Sequence, residues 1–216
     1  MNMLIKSILM ILIVVLISGC VYSGETDQQR LNDYWVNNYP DQIPSYTPQS
    51  TPTPEPYGNL LIDNISNDLN GFYDRGWQDL YESGEFDCSR MTTYMWDYIR
   101  NKYRIAPEIV LAPNREHAWL ALRVVDVGDT DRYLQWTGKG VKYYYIEATA
   151  PQVVKYEKDF YMGTPPVRYE SSADFYTTKT YVADDPVDAN TIAGSWFNEF
   201  RLTKPDIDKL NSFKKG

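Results

Sequence analysis

Two side chains in this 216-residue sequence are of the types that covalent acyl chemistry needs. Cys88 lies in Asp87-Cys88-Ser89, and the single histidine, His117, lies in Glu116-His117-Ala118-Trp119. A thiolate is the nucleophilic form of cysteine, and it needs a base or cationic partner within hydrogen-bond reach. An imidazole fills that role when a third polar group orients its ring. The next strand-like segment, Tyr145-Ile146-Glu147-Ala148-Thr149, offers Glu147. Such a trio serves attack on a carbonyl carbon, and the oxyanion that develops requires aimed donors. The Cys88 backbone amide is one candidate, and upstream side-chain candidates are Trp77 and Gln78.

The elements that must position these residues can be read from periodicity. Leu60–Leu69 and Arg75–Tyr81 have the spacing of short helices, with Gly71, Gly76 and Gly84 as punctuation. Asp87 is placed to N-cap a helix in which Cys88, Met91, Met95, Tyr98 and Ile99 share one face. Cys88 then sits in the first turn, where unsatisfied backbone amides favour an anion. After Pro107 the period changes to two. Ile109–Leu111 reads as a strand, Pro113–Arg115 as a turn, and His117–Val125 as a strand with His117, Trp119 and Ala121 on one face. Leu134–Trp136 reads as an edge, Gly138–Gly140 as a turn, and Val141–Ala148 as a strong strand with Tyr143, Tyr145 and Glu147 on one face. Further β-like runs occupy 160–185, and a short helix with a charged tail follows Trp196. If the two strong strands pair antiparallel, His117 and Glu147 share a face. The fold class expected is α+β, with N-terminal helices packed on an antiparallel sheet.

Asp-Cys-Ser opening a helix, His-Ala-Trp on a strand and an acid on the following strand resemble the transglutaminase-like superfamily over roughly residues 85–151. That resemblance implies a papain-like core, with Cys88 as nucleophile, His117 as general base and then acid, and Glu147 as the orienting carboxylate. The family's third residue is usually Asp in a segment such as Asp-Pro-Thr. Here it is Glu147 in Glu-Ala-Thr, one methylene longer, so its contact with the imidazole must be aimed differently. The implied reaction is cleavage or transfer at an amide of a peptide or cell-envelope polymer through a thioester. Hydrolysis and transamidation both remain open.

The N-terminus reads as an address. Lys6 precedes an apolar run from Ile8 to Ile17, too short for the about 20 residues of a membrane span. The run ends in Ile17-Ser18-Gly19-Cys20, which resembles the lipobox of prokaryotic lipoproteins; the alternative is an uncleaved short anchor. The resemblance implies a signal peptide over residues 1–19, acylation of Cys20 and attachment to the extracytoplasmic face of the cell membrane. Residues 20–57 form the lipidated N-terminus and a linker. Pro40, Pro44, Pro48, Pro52, Pro54 and Pro56 make it a semi-rigid stalk, with a docking motif as the weaker alternative. The transglutaminase-like domain is expected over 58–190, followed by a C-terminal extension over 191–216. Asn64-Ile65-Ser66 is a glycosylation sequon of little weight.

Charge and composition narrow the partners. Twenty-one basic against 29 acidic residues give a net charge of −8, which argues against nucleic acid. One histidine and two cysteines argue against a zinc site, and no phosphate-binding glycine loop is present, so no cofactor or metal is expected. Nineteen tyrosines are enough aromatic mass to build a core. Each site residue alone has a plainer reading. A buried cysteine behaves as a small hydrophobe, His117 fits a core position and Glu147 a solvated strand. The non-catalytic alternative is an envelope binding or structural lipoprotein with the same fold. The N-terminal reading has a direct check: Cys20→Ser is expected to abolish incorporation of labelled fatty acid and to move the chain from the membrane to the soluble fraction.

Overall fold

The computed structural model describes residues 60–215, apart from 139 and 164. The expected signal peptide, Cys20, the proline-rich linker and the centre of the Gly138–Gly140 turn lie outside the described residues. Helix α1 spans Leu61–Asp74 and buries Ile62, Ile65, Leu69 and Phe72, a helical stripe. A 3₁₀ turn follows at Trp77–Leu80. Helix α2 spans Cys88–Tyr103, and the Asp87 carboxylate accepts the Ser89 N–H at 3.0 Å as its N-cap.

The burial of α2 exceeds a single face. Thr92, Thr93 and Trp96 are buried together with Met91, Met95 and Ile99. The polar groups of Thr92, Thr93 and Trp96 are tolerated there because each finds a partner. Thr92 donates to the Ala118 carbonyl at 3.2 Å, Thr93 to Ser89 at 2.9 Å, and the Trp96 indole to Pro107 at 2.8 Å. The Thr92 bond ties α2 to the sheet one residue away from His117.

The main sheet is antiparallel. Strand β1 (Glu108–Ala112) pairs with β2 (His117–Arg123), with Ala112 opposite His117. Strand β2 pairs with β4 (Val141–Glu147), and β3 (Gln135–Gly138) and β5 (Gln152–Val153) both pair with β4. Strands β6 (Lys158–Met162) and β7 (Val167–Ser171) form a separate hairpin, and helix α4 (Ser172–Tyr176) follows directly. Strand β8 (Tyr181–Ala183) pairs with β1 at the far edge of the main sheet. The expected α+β class with an antiparallel sheet is therefore present.

The segment His117–Val125 is not strand throughout. After Arg123 the chain makes a one-turn helix, α3 (Val124–Val127). The Gly128 N–H closes it on the Val124 carbonyl at 2.9 Å, and Arg123 Nε bonds Asp126 at 2.7 Å. Val124 and Val127 then point inward while Val125 is 81% exposed, a pattern an apolar period-two run does not reveal.

The C-terminal residues are part of the same core. Helix α5 (Pro186–Ala193) is N-capped by Asp185, and α6 spans Lys204–Lys215. Phe200, Leu202 and Leu210 are buried, and the Phe213 ring stacks on Phe72 at 6.1 Å and meets Trp77 at 5.5 Å. Buried Asp206 pairs with Arg90 of α2 at 3.3 Å. What reads in sequence as a charged tail thus braces the helix that begins at Cys88. Leu210→Ala is expected to lower the unfolding free energy by about 2–4 kcal/mol, measured by urea denaturation.

Candidate active site

The position of Cys88 follows from the cap. Asp87 holds α2 at its first turn through one carboxylate oxygen, and its other oxygen accepts from the Asn198 side chain. Cys88 is free and only 6% exposed, and its thiol donates a long contact of 3.9 Å to the Glu116 carbonyl. The sulfur is therefore held against the residue immediately before His117.

His117 begins β2. The preceding Pro113–Arg115 turn ends at Glu116, whose φ of 50° is left-handed and unusual for a residue with a Cβ. This reversal delivers His117 into the sheet in register with Ala112. The imidazole is 9% exposed and lies between the rings of Trp119 at 5.9 Å and Phe175 at 5.8 Å. Its Nε2 meets Glu147 Oε2 at 2.8 Å.

The carboxylate reaches the ring diagonally. Leu120 is paired with Ile146, so the same register carries Glu147 opposite Trp119, two residues beyond His117. Diagonal neighbours on one face lie about 7–8 Å apart, within reach of long side chains. The extra methylene of Glu relative to Asp spans that diagonal.

Glu147 is fully buried, yet both of its oxygens are occupied. Oε2 accepts from His117 and from the Tyr176 hydroxyl, each at 2.8 Å. Oε1 accepts from the Thr149 N–H at 2.9 Å and from the Thr149 hydroxyl at 2.7 Å. Burial alone would push the Glu147 carboxyl up, but the His117 charge and bond and the two Thr149 bonds hold it below its ordinary value. Burial likewise works against a charged His117. The Glu147 charge and bond, together with hydrogen-bond and charge interactions with Cys88, outweigh it and push the imidazole up to about 10. The pair is thus imidazolium and carboxylate at neutral pH, with the thiol acting on the same ring.

The structure brings Cys88, His117 and Glu147 together. It places the other candidates differently. The Trp77 indole N–H is engaged with the Ala148 carbonyl at 2.7 Å, so it anchors the chain just after Glu147 and is not free as an oxyanion donor. The Gln78 side-chain oxygen is buried without a hydrogen-bond partner. Asn64 is exposed on α1, but its sequon partner Ser66 is buried in the helix, a poor setting for a surface-loop modification. No group of three or more His, Cys, Asp or Glu that could hold a metal occurs among the described residues. A cavity of about 340 Å³ lined by Gly194, Phe197, Asn198 and Arg201 opens beside the Asp87–Asn198 bond rather than on the sulfur.

Sequence reasoning missed Thr149, Tyr176 and Tyr81. A hydroxyl two residues after a carboxylate is a local signal that could have pointed to Thr149. Tyr176 has no such signal, being one tyrosine among many and 29 residues from its partner. Half-exposed Tyr81 has its phenol raised first by burial and then by the charges of Cys88, Asp87 and Glu147, which marks it as a neighbour of the site on the solvent side. Compared with known proteins, the chain matches no family model, no curated protein and no solved structure.

The ion pair makes stability depend on pH. His117 contributes stability that is complete below its unfolded value of 6.5 and is lost as pH rises through about 10. Glu147 contributes stability that is complete above its unfolded value of 4.5 and is lost as pH falls through its depressed one. Urea-unfolding free energy is therefore expected to be highest between about pH 4.5 and 6.5 and to decline on both sides. Glu147→Gln is expected to flatten both limbs and to lower the maximum by about 3–5 kcal/mol, the cost of stranding one member of a buried pair.

Proposed function

We propose that this chain is a membrane-anchored, extracytoplasmic cysteine hydrolase or acyltransferase acting on amide bonds of peptides or envelope polymers, in the manner of transglutaminase-like enzymes. The observation that carries this reading is the bond from His117 to buried Glu147 on a ring that also interacts with Cys88 at the start of α2. The order of the three residues along the chain and their elements are those of the family that the sequence resembles.

In this reading His117 is already an imidazolium before reaction. It stands as the cation beside the sulfur and as the acid for the leaving group. In its thiolate form the Cys88 sulfur attacks the amide carbonyl carbon, and the carbonyl electrons move to oxygen, facing the backbone amide at the α2 N-terminus. The C–N bond then breaks, and the proton on His117 passes to the departing amine. Water then attacks the thioester and gives up a proton to the now neutral His117; the C–S bond breaks, the thiolate leaves and the acid is released. An amine in place of water gives transamidation. Glu147 keeps its carboxylate throughout and fixes the ring.

A binding protein with the same fold is the second reading. It is favoured by the low exposure of Cys88 and His117 and by a cavity that adjoins Asn198 rather than the sulfur. Alkylation separates the two. In a Cys20→Ser background, Cys88 is the sole thiol. Iodoacetamide is expected to modify it at pH 6–7 at least tenfold faster than a cysteine in an unstructured peptide, with His117→Ala and Glu147→Gln removing the advantage. A rate equal to the peptide's, unchanged by either substitution, would overturn the catalytic reading. On an amide substrate, Glu147→Gln is expected to reduce kcat by about 10²–10⁴-fold.

A further inference from the structure

We propose that Tyr176 is a positioning residue of this site, acting on His117 through the oxygen of Glu147 that both side chains share; the inference rests on the cysteine-dependent reading above. Tyr176 Oη donates to Glu147 Oε2 at 2.8 Å, and His117 Nε2 meets the same atom at 2.8 Å. Tyr176 is 1% exposed and Glu147 wholly buried, so this is a charge-assisted bond in a low-dielectric interior, where such bonds are strongest.

The hydroxyl has two effects. The first is geometric. Thr149 fixes Oε1 and Tyr176 fixes Oε2, so the carboxylate cannot rotate away and Nε2 has one direction in which to bond. The imidazole is then oriented with Nδ1, the nitrogen not held by Glu147, left for the sulfur and the leaving amine. The second effect concerns the proton. When Nδ1 gives up its proton, the remaining one must stay on Nε2. A carboxylate that already accepts a phenol at the same oxygen pulls less hard on that proton, which prevents its loss to Glu147 inside the core.

The surroundings of Tyr176 are built to hold it in place. Its ring meets Trp119 at 5.1 Å, Phe175 at 4.9 Å and Tyr145 at 5.9 Å. The start of α4 is pinned where the Ser172 hydroxyl donates to the Lys155 carbonyl at 2.7 Å. Tyr145 belongs to the same ring cluster but does not bond Glu147, so it provides a matched control.

His117 is the sole histidine, so its Cε1–H resonance titrates without ambiguity in NMR spectra of the full-length chain in detergent micelles. Tyr176→Phe keeps the ring and removes one donor from Glu147. The acid-side inflection of the His117 resonance, which reports protonation of Glu147, is expected to move up by about one pH unit. Tyr145→Phe is expected to leave it in place. A Tyr176→Phe chain whose stability changes but whose inflection does not move would overturn the inference, as would an equal shift in Tyr145→Phe. Should Tyr176→Phe not fold, the unmutated chain decides. Its Tyr176 hydroxyl proton is expected as a slowly exchanging downfield resonance coupled by proximity to Glu147, and its absence overturns the assignment. Because this titration needs no turnover, it is separable from the alkylation test. A shifted inflection with an unreactive Cys88 would retain the Tyr176–Glu147–His117 coupling and defeat the catalytic reading instead.

Discussion

A carboxylate with no exposure to solvent is the constraint around which this protein is arranged. Removing Glu147 from water costs several kcal/mol even after relaxation of the surroundings, and only a full set of donors offsets that cost. Four bonds from three residues do so, and they come from three different parts of the chain: the start of β2, the turn after β4 and the end of α4. The elements must meet at that point for the core to close. The site and the fold are therefore stabilised by the same contacts.

The charge on Glu147 has its chemical counterpart on His117. Burial works against an imidazolium, yet the carboxylate at 2.8 Å together with the interactions with Cys88 more than compensates and keeps the ring charged across neutral pH. The same ring interacts with the Cys88 sulfur at the N-terminus of α2. The left-handed Glu116 and the Thr92–Ala118 bond fix the relative height of α2 and β2, which sets how closely sulfur and ring approach. Two supports stand behind this. Asn198 holds the outer oxygen of Asp87, and α6 braces α2 through Asp206 and Arg90.

The aromatic abundance also acquires a location. Trp119, Tyr145, Phe160, Phe175 and Tyr176 form one cluster on the His117 face of the sheet, covered by the β6–β7 hairpin and α4. Rings of this size exclude water while their edges and hydroxyls still offer directed contacts. Tyr176 uses its hydroxyl in that way, whereas Trp119 leaves its indole N–H unpaired in the core.

The residue types of the site and the local rules that place them were legible in the sequence. Asp87 as a cap needs only a carboxylate before an amphipathic run, and the alternation in β2 and β4 needs only period-two patterning, so the shared face of His117 and Glu147 followed. Local patterns do not count hydrogen bonds across the fold. That Trp77 is committed to Ala148, that Tyr176 completes Glu147, that Val124 leaves the strand and that the charged C-terminus carries Leu210 and Phe213 into the core were decided by tertiary packing. The physical reason is that satisfying a buried charge and filling a core are non-local demands: the partners that meet them are chosen by proximity in space, and separations of 29 to 141 residues leave no trace in a sequence window.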